Sequence, residues 1–266
     1  MQRFENKPLK TKQFTTKQSS YGEKLVGRLP CRYLCLAQTR SGKTNLVLNM
    51  LLDIYRDCFE RIVVFSHSWN LDESYTVLKK YMEQKGWDLA ECGYAGYNDE
   101  ILANIIAEQS QLVRYRKSKG QTKLWGLCIF FDDLIDSRAA MRGRNLEILY
   151  ARGRHMNISV ITSTQAYRKV LNTVRMNSDH ELIWRLRNGQ DLEAWLSENE
   201  ALVGRDILLD IYLRATSAQF SYLWVNKAAD HDDDIFHPNG LGTPGEQITS
   251  AIKDEDVDHP PAERGR

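Results

Sequence analysis

No stretch of this 266-residue chain approaches the roughly 18 apolar residues that a membrane-spanning helix needs. The opening MQRFENKPLK contains no apolar signal region either. A soluble, intracellular protein is expected. Cysteine pairing is also missing. Cys31, Cys35, Cys58, Cys92 and Cys128 are odd in number and form no Cys-x-x-Cys pair. That argues against a disulfide framework or a thiolate metal site, and for small buried hydrophobes in a reducing compartment. No internal repeat is present.

Net charge is nearly absent too, at +1, but the balance hides an asymmetry. Residues 1–28 carry seven Lys/Arg against two acids, whereas residues 230–266 carry ten Asp/Glu against three Lys/Arg and four of the six prolines. Both ends are poor in apolar residues and read as loosely ordered arms. A single domain over residues 29–229 is then expected between a basic arm (1–28) and an acidic tail (230–266). Within it, short β-branched or aromatic runs at 32–36, 61–66, 124–131, 158–163, 181–186 and 220–225 read as strands. Helical periodicities at 45–55, 71–84, 99–116, 144–152 and 190–198 separate them. This alternation predicts an α/β fold: a mostly parallel central sheet with helices on both faces.

CLAQTRSGKTNLVLNML is the first stretch that carries chemistry. A strand runs into a small polar loop, and the loop opens a helix. Such a loop turns backbone N–H groups onto a polyphosphate, with a lysine on the β/γ oxygens and a Ser/Thr hydroxyl on magnesium. Gln38, Thr39, Arg40, Ser41, Gly42, Lys43 and Thr44 are the candidate nucleotide-binding residues, and Thr44 a candidate metal ligand. Ala37 departs from the pattern, which has a glycine there; alanine costs little where φ is negative.

LCIFFDDLID drives an apolar strand into Asp132 and Asp133. One acid is placed beside the magnesium of a bound nucleotide, Asp132 by this reading, and its neighbour Asp133 can polarise the attacking water. The plain alternative is a pair of turn residues. A third strand, ISVITST, ends in Gln165, whose amide emerges at a strand's carboxyl end, where such sheets bind ligands. An amide there can touch the γ-phosphate or the lytic water.

Together AQTRSGKT, FFDDL, ARGRHMNISVITSTQ and VRMNSDHELIWRLRN resemble the genome-packaging ATPases of large double-stranded DNA viruses, the poxvirus-type branch of the FtsK–HerA superfamily of P-loop motors. The likeness runs over about residues 30–226 and includes YLRATSAQFSYLWV. It implies a RecA/FtsK-like fold and a pentameric or hexameric ring that hydrolyses ATP with Mg2+ to drive duplex DNA into a preformed capsid. Capsid vertex proteins are the implied partners, and virion assembly sites in the host cytoplasm or nucleus, or the virion itself, the implied location. By resemblance Asp133 takes the place of the catalytic acid, commonly Glu outside this branch, and Gln165 that of the sensor glutamine. Arg154 matches an arginine at the subunit-facing edge, with Arg152, Arg185 and Arg187 as competitors for a finger inserted into a neighbour's site, and Arg175 with Asn177 as further residues lining the interface.

For DNA, Arg114, Arg116, Lys117, Lys119 and Lys123 form one basic run, and Arg142 belongs to a second in RAAMRGR. Both suit phosphate contacts without base readout, or else are solvated helix ends. A small-molecule kinase and a module that holds nucleotide without turnover share the phosphate loop and remain open alternatives. His231 and His237 among the tail's aspartates match no ordered metal-ligand set.

Overall fold

A computed structural model describes residues 13–134, 140, 143–238, 240 and 241. In chain order, β1 (Arg32–Leu36) is followed by α1 (Lys43–Asn49), which continues as a π-helical turn through Met50–Ile54. Then come β2 (Arg61–Ser66), α2 (Tyr75–Gln84), α3 (Leu89–Cys92), β3 (Gly93–Tyr94) and α4 (Asp99–Ser118). After β4 (Leu127–Asp132) lie α5 (Arg144–Arg152), a 3-10 turn at Gly153–Met156, β5 (Ile158–Thr164) and α6 (Asn172–Asn177). The chain closes with β6 (His180–Trp184), α7 (Gly189–Asn199), α8 (Arg205–Ala215), β7 (Tyr222–Asn226) and β8 (Phe236–His237).

The strands form one sheet in the order β3-β2-β4-β5-β1-β6-β7-β8. From β3 to β6 every pairing is parallel; β7 and β8 are added antiparallel at one edge. The expected mostly parallel sheet is therefore present. Its strands alternate between two buried faces, as period-2 side chains must. Leu34 and Leu36 of β1, with Ile129 and Phe131 of β4, join the core that includes Leu102, Leu149 and Tyr212 from the helices of one side. Tyr33, Cys35, Cys128 and Phe130 join the other, against Val47 and Leu51 after the phosphate loop and Leu78 of α2. All five cysteines are free and buried within this fold.

β5 lies between β1 and β4. The register Leu36↔Thr164 and Asp132↔Ser163 brings the three carboxyl ends level, so whatever follows each strand meets its neighbours at one edge. That edge holds the site.

Both expected boundaries are corrected. Residues 13–28 are not a free arm: Thr15 bridges to Lys123, and Gln18 donates to the Leu29 carbonyl at 2.7 Å and accepts from its N–H at 2.8 Å. Val26 is buried in the core. At the other end, β8 pairs with β7 and buries Phe236 and His237 completely, so the domain reaches past residue 229. A count of charges misses two apolar residues and a glutamine that fits one backbone gap. Residues 1–12 and 242–266 of the two arms lie outside the described residues. The first run of the third expected strand is also displaced: Leu124 bonds to Thr15, and sheet pairing starts at Leu127.

Candidate nucleotide-binding site

The phosphate loop leaves β1 at Ala37, whose N–H donates to the Thr164 carbonyl at 3.0 Å, so alanine extends the strand without strain. The left-handed turns fall later, at Arg40 (φ 65°) and Gly42 (φ 86°). Gly42 is the N-cap of α1 and needs the freedom that a residue without Cβ has. The first N–H groups of α1 have no partner within the helix and face the loop. Ser41 Oγ is buried and has no hydrogen-bond partner. An unpaired buried hydroxyl costs stability unless an acceptor reaches it, and a phosphate oxygen is such an acceptor.

Lys43 is 6% exposed, yet its ammonium is paired: Nζ donates to Asp133 Oδ1. Asp133 adopts φ 53°, a left-handed conformation that aspartate tolerates, and this turns its carboxylate out of β4 into the loop. Its other oxygen accepts from Gln165 Nε2 at 3.0 Å, and Gln165 Oε1 accepts from Thr39 Oγ1 at 3.0 Å. Thr39, Gln165, Asp133 and Lys43 thus form a chain across β1, β5 and β4. Lys43 and Asp132 line one cavity, and Gln165, outside that lining, is tied to Lys43 through Asp133.

Asp132 is buried, with a hydroxyl on each oxygen: Ser163 donates to Oδ1 and Tyr75 to Oδ2. Tyr75 also reaches Ser66 Oγ at 3.2 Å. Burial first, then the neighbouring Asp132 carboxylate, push the Tyr75 hydroxyl far above its usual range, so it stays a donor at any working pH. Burial likewise lifts the Cys35 thiol, directly behind the loop, to about 12, which leaves it inert.

Thr39, Arg40, Ser41, Gly42, Lys43, Thr44 and Asn45 line a cavity of about 400 Å³ with Ser68, Asp72, Asp132, Asp133 and Phe220. Gln38, also expected to bind nucleotide, is not among the lining residues; its carbonyl accepts from the Ser41 N–H at 3.3 Å. The volume lies within the range of small-ligand sites, about 300–1,000 Å³. Its donors suit a polyphosphate, and the hard oxygens of Thr44 and Asp132 suit magnesium, which keeps most of its shell for water and phosphate. Among the described residues, no group of three His, Cys, Asp or Glu could hold a metal by itself.

Tyr75, Ser163 and Phe220 were not legible as site residues. Ser163 meets Asp132 through the strand register, and Tyr75 and Phe220 lie on elements whose approach to the site depends on the whole sheet.

Arg154 is elsewhere. It lies in the turn before β5, at the opposite ends of the strands from Lys43, roughly 20 Å away by strand length. Its guanidinium is 56% exposed and meets Asp179 at 3.4 Å. Asp179 is already held by Arg32 through contacts of 2.8 and 2.9 Å. The basic run lies at that same amino-end face, because α4 returns from the site edge to the start of β4. Arg116 donates twice to the Lys123 carbonyl and stacks on Trp125 at 4.2 Å; Lys117 lies over Phe14 at 4.6 Å. Arg114, Lys117, Lys119 and Lys123 are exposed. Arg142 lies outside the described residues. His237, expected in a solvated tail, is stacked on Trp224 at 3.9 Å. No described helix is long and apolar enough to cross a membrane.

The fold is shared with known nucleotide-binding proteins. The genome packaging NTPase B204 from Sulfolobus turreted icosahedral virus 2, in complex with ATP-gammaS, superposes with a TM-score of 0.52 at 14% identity, covering 76% of this chain and 95% of that one. The same protein with AMPPCP gives 0.51 at 15%, covering 76% and 94%. EssC (ATPases 2 and 3) from Geobacillus thermodenitrificans gives 0.50 at 12%, covering 85% and 43%. No curated protein matches in sequence. The family described as Poxvirus A32 protein matches residues 19–217, most of the sheet and the whole phosphate loop, and the chain belongs to that family.

Proposed function

We propose that this protein is an ATP-driven translocase of double-stranded DNA that packages a viral genome into a preformed capsid. Family membership and the fold shared with a genome packaging NTPase support this reading. The observation that carries it is the linked set Thr39–Gln165–Asp133–Lys43 beside a cavity lined by the phosphate-loop residues.

Lys43 and the amides of residues 39–44 hold the triphosphate. Thr44 and Asp132 would hold Mg2+, which would supply charge neutralisation on the phosphates. Ser163 and Tyr75 fix Asp132 for that task. A triphosphate competes with Asp133 for the Lys43 ammonium, and Asp133, released on that side, accepts the proton of the attacking water. Gln165, which bridges Asp133 and Thr39, reports the γ-phosphate to both.

Arg154 cannot act on its own chain's site from the far end of the strands. In a head-to-tail pentameric or hexameric ring, the site face of one copy meets a different face of the next, and Arg154 then belongs to the neighbour's site. Arg114, Lys117, Lys119 and Lys123 contact DNA phosphates without reading bases. Capsid vertex proteins are the docking partners, at virion assembly sites in the infected cell.

ATP turnover with Mg2+, measured with and without duplex DNA of mixed sequence, tests this. Stimulation by DNA, lost steeply as salt rises, is expected. Turnover that ignores DNA and requires a small acceptor would instead indicate a kinase, and tight ATP binding without turnover an assembly module.

A further inference from the structure

Phe220 adopts φ 65°. For a bulky residue this is a genuine outlier, held only where the surroundings over-determine it. The tight turn before β7 does so: Ser221 donates through N–H and through Oγ to the Ala218 carbonyl, at 3.3 and 2.8 Å. Because β7 runs antiparallel beside β6, this turn is delivered to the carboxyl edge where the phosphate loop lies. Phe220 is 57% exposed and outside both hydrophobic cores. It lines the candidate nucleotide cavity, so close to the loop that a Cβ on Gly42 would meet its Cδ1 at 3.4 Å. The fold thus keeps a large aromatic out of its core, in a strained conformation, in the lining of a cavity it shares with the phosphate-loop residues.

We propose that Phe220 is the platform on which the nucleobase stacks, so that this residue converts a polyphosphate site into a nucleoside triphosphate site. A flat apolar face is what the polar loop lacks: it accepts a base through stacking and dispersion, with no hydrogen-bond readout. Phe220 would act on affinity and on the choice between nucleotide and bare polyphosphate, not on the chemical step. The inference rests on the proposed nucleotide site.

Calorimetric titration of the full chain with ATP and with inorganic tripolyphosphate, both with Mg2+, tests it. Phe220→Ala and Phe220→Gly should weaken ATP binding by about fivefold to 150-fold and leave tripolyphosphate binding unchanged. Phe220→Trp should retain ATP. Phe220→Gly removes the backbone strain, so its melting temperature should equal or exceed the parent's, separating lost stacking from lost folding. Unchanged ATP affinity in both truncations would overturn the proposal, as would an equal loss for both ligands, which would make the ring a prop for the loop. A parent chain that binds neither ligand would remove the nucleotide site itself, a distinct failure.

Discussion

Gln165 and Asp133 share a hydrogen bond of 3.0 Å although they end different strands, and the same amide accepts from Thr39 of the phosphate loop at 3.0 Å. A change at any one of the three tips is therefore felt at the other two. Gln165→Ala should lower the turnover number about a hundredfold while ATP affinity changes little, because the proposed mechanism sets the amide on the reacting end of the nucleotide. Steady-state turnover beside equilibrium binding checks this. An unchanged turnover number would strike Gln165 from the chemistry.

Tyr75 holds Asp132 from α2, and its hydroxyl is a donor to a buried carboxylate. Tyr75→Phe keeps the packing of the ring and removes one charge-assisted hydrogen bond. A stability loss of about 2 kcal/mol is expected, read from urea denaturation. The Mg2+ concentration for half-maximal turnover should rise as well, since Asp132 loses a fixed orientation. A stability loss with no change in Mg2+ dependence would make Tyr75 structural only.

Arg154 offers a sharper contrast. Its guanidinium is more than half exposed, and at 3.4 Å from an Asp179 already paired with Arg32 it contributes about 1 kcal/mol to the fold. Arg154→Ala should therefore remain folded yet lose turnover if the guanidinium serves a neighbouring copy. Mixing Arg154→Ala with Lys43→Ala should then restore some activity, because mixed neighbours rebuild an intact site. Full activity in Arg154→Ala alone would reduce the residue to its ion pair.

His180 gives the fold a pH dependence independent of catalysis. It is buried between Tyr33 and Trp224, and burial holds its pKa at about 4 against 6.5 unfolded; Asp179 opposes the shift, while His237 and Arg32 add to it. The folded state then binds fewer protons than the unfolded one between these values. Its contribution is present above pH 6.5 and is lost as pH falls towards 4. From pH 7 to pH 5 the loss from this group is about 2 kcal/mol. Denaturation curves at the two pH values, compared with His180→Gln, measure it: the variant should show a shallower dependence by that amount, and an equal slope would contradict it.

The strands of the central sheet were legible because each is a short apolar run bounded by polar turns, and the site was legible because three such runs end in polar residues with distinct chemistry. α8 was missed although its signal is present: Leu208, Ile211, Tyr212 and Ala215 recur at helical spacing and are buried. β3 and β8 have two residues each and carry no periodicity to read. The order of strands was not legible at all, and it is what turns Ser163 towards Asp132 and brings Phe220 to the loop. Ala37 shows the opposite case, a departure from pattern that the backbone makes harmless.

Asp133 competes for the lysine that a triphosphate needs, and it is also the acid assigned to the water. The most direct measurement is therefore ATP affinity and single-turnover rate side by side in the parent and in Asp133→Asn. With the competing charge gone, the variant should bind ATP at least as tightly while turnover falls by about a hundredfold or more. Weakened binding with normal turnover would contradict the account, because Lys43, Asp133 and the phosphates could then not share one site.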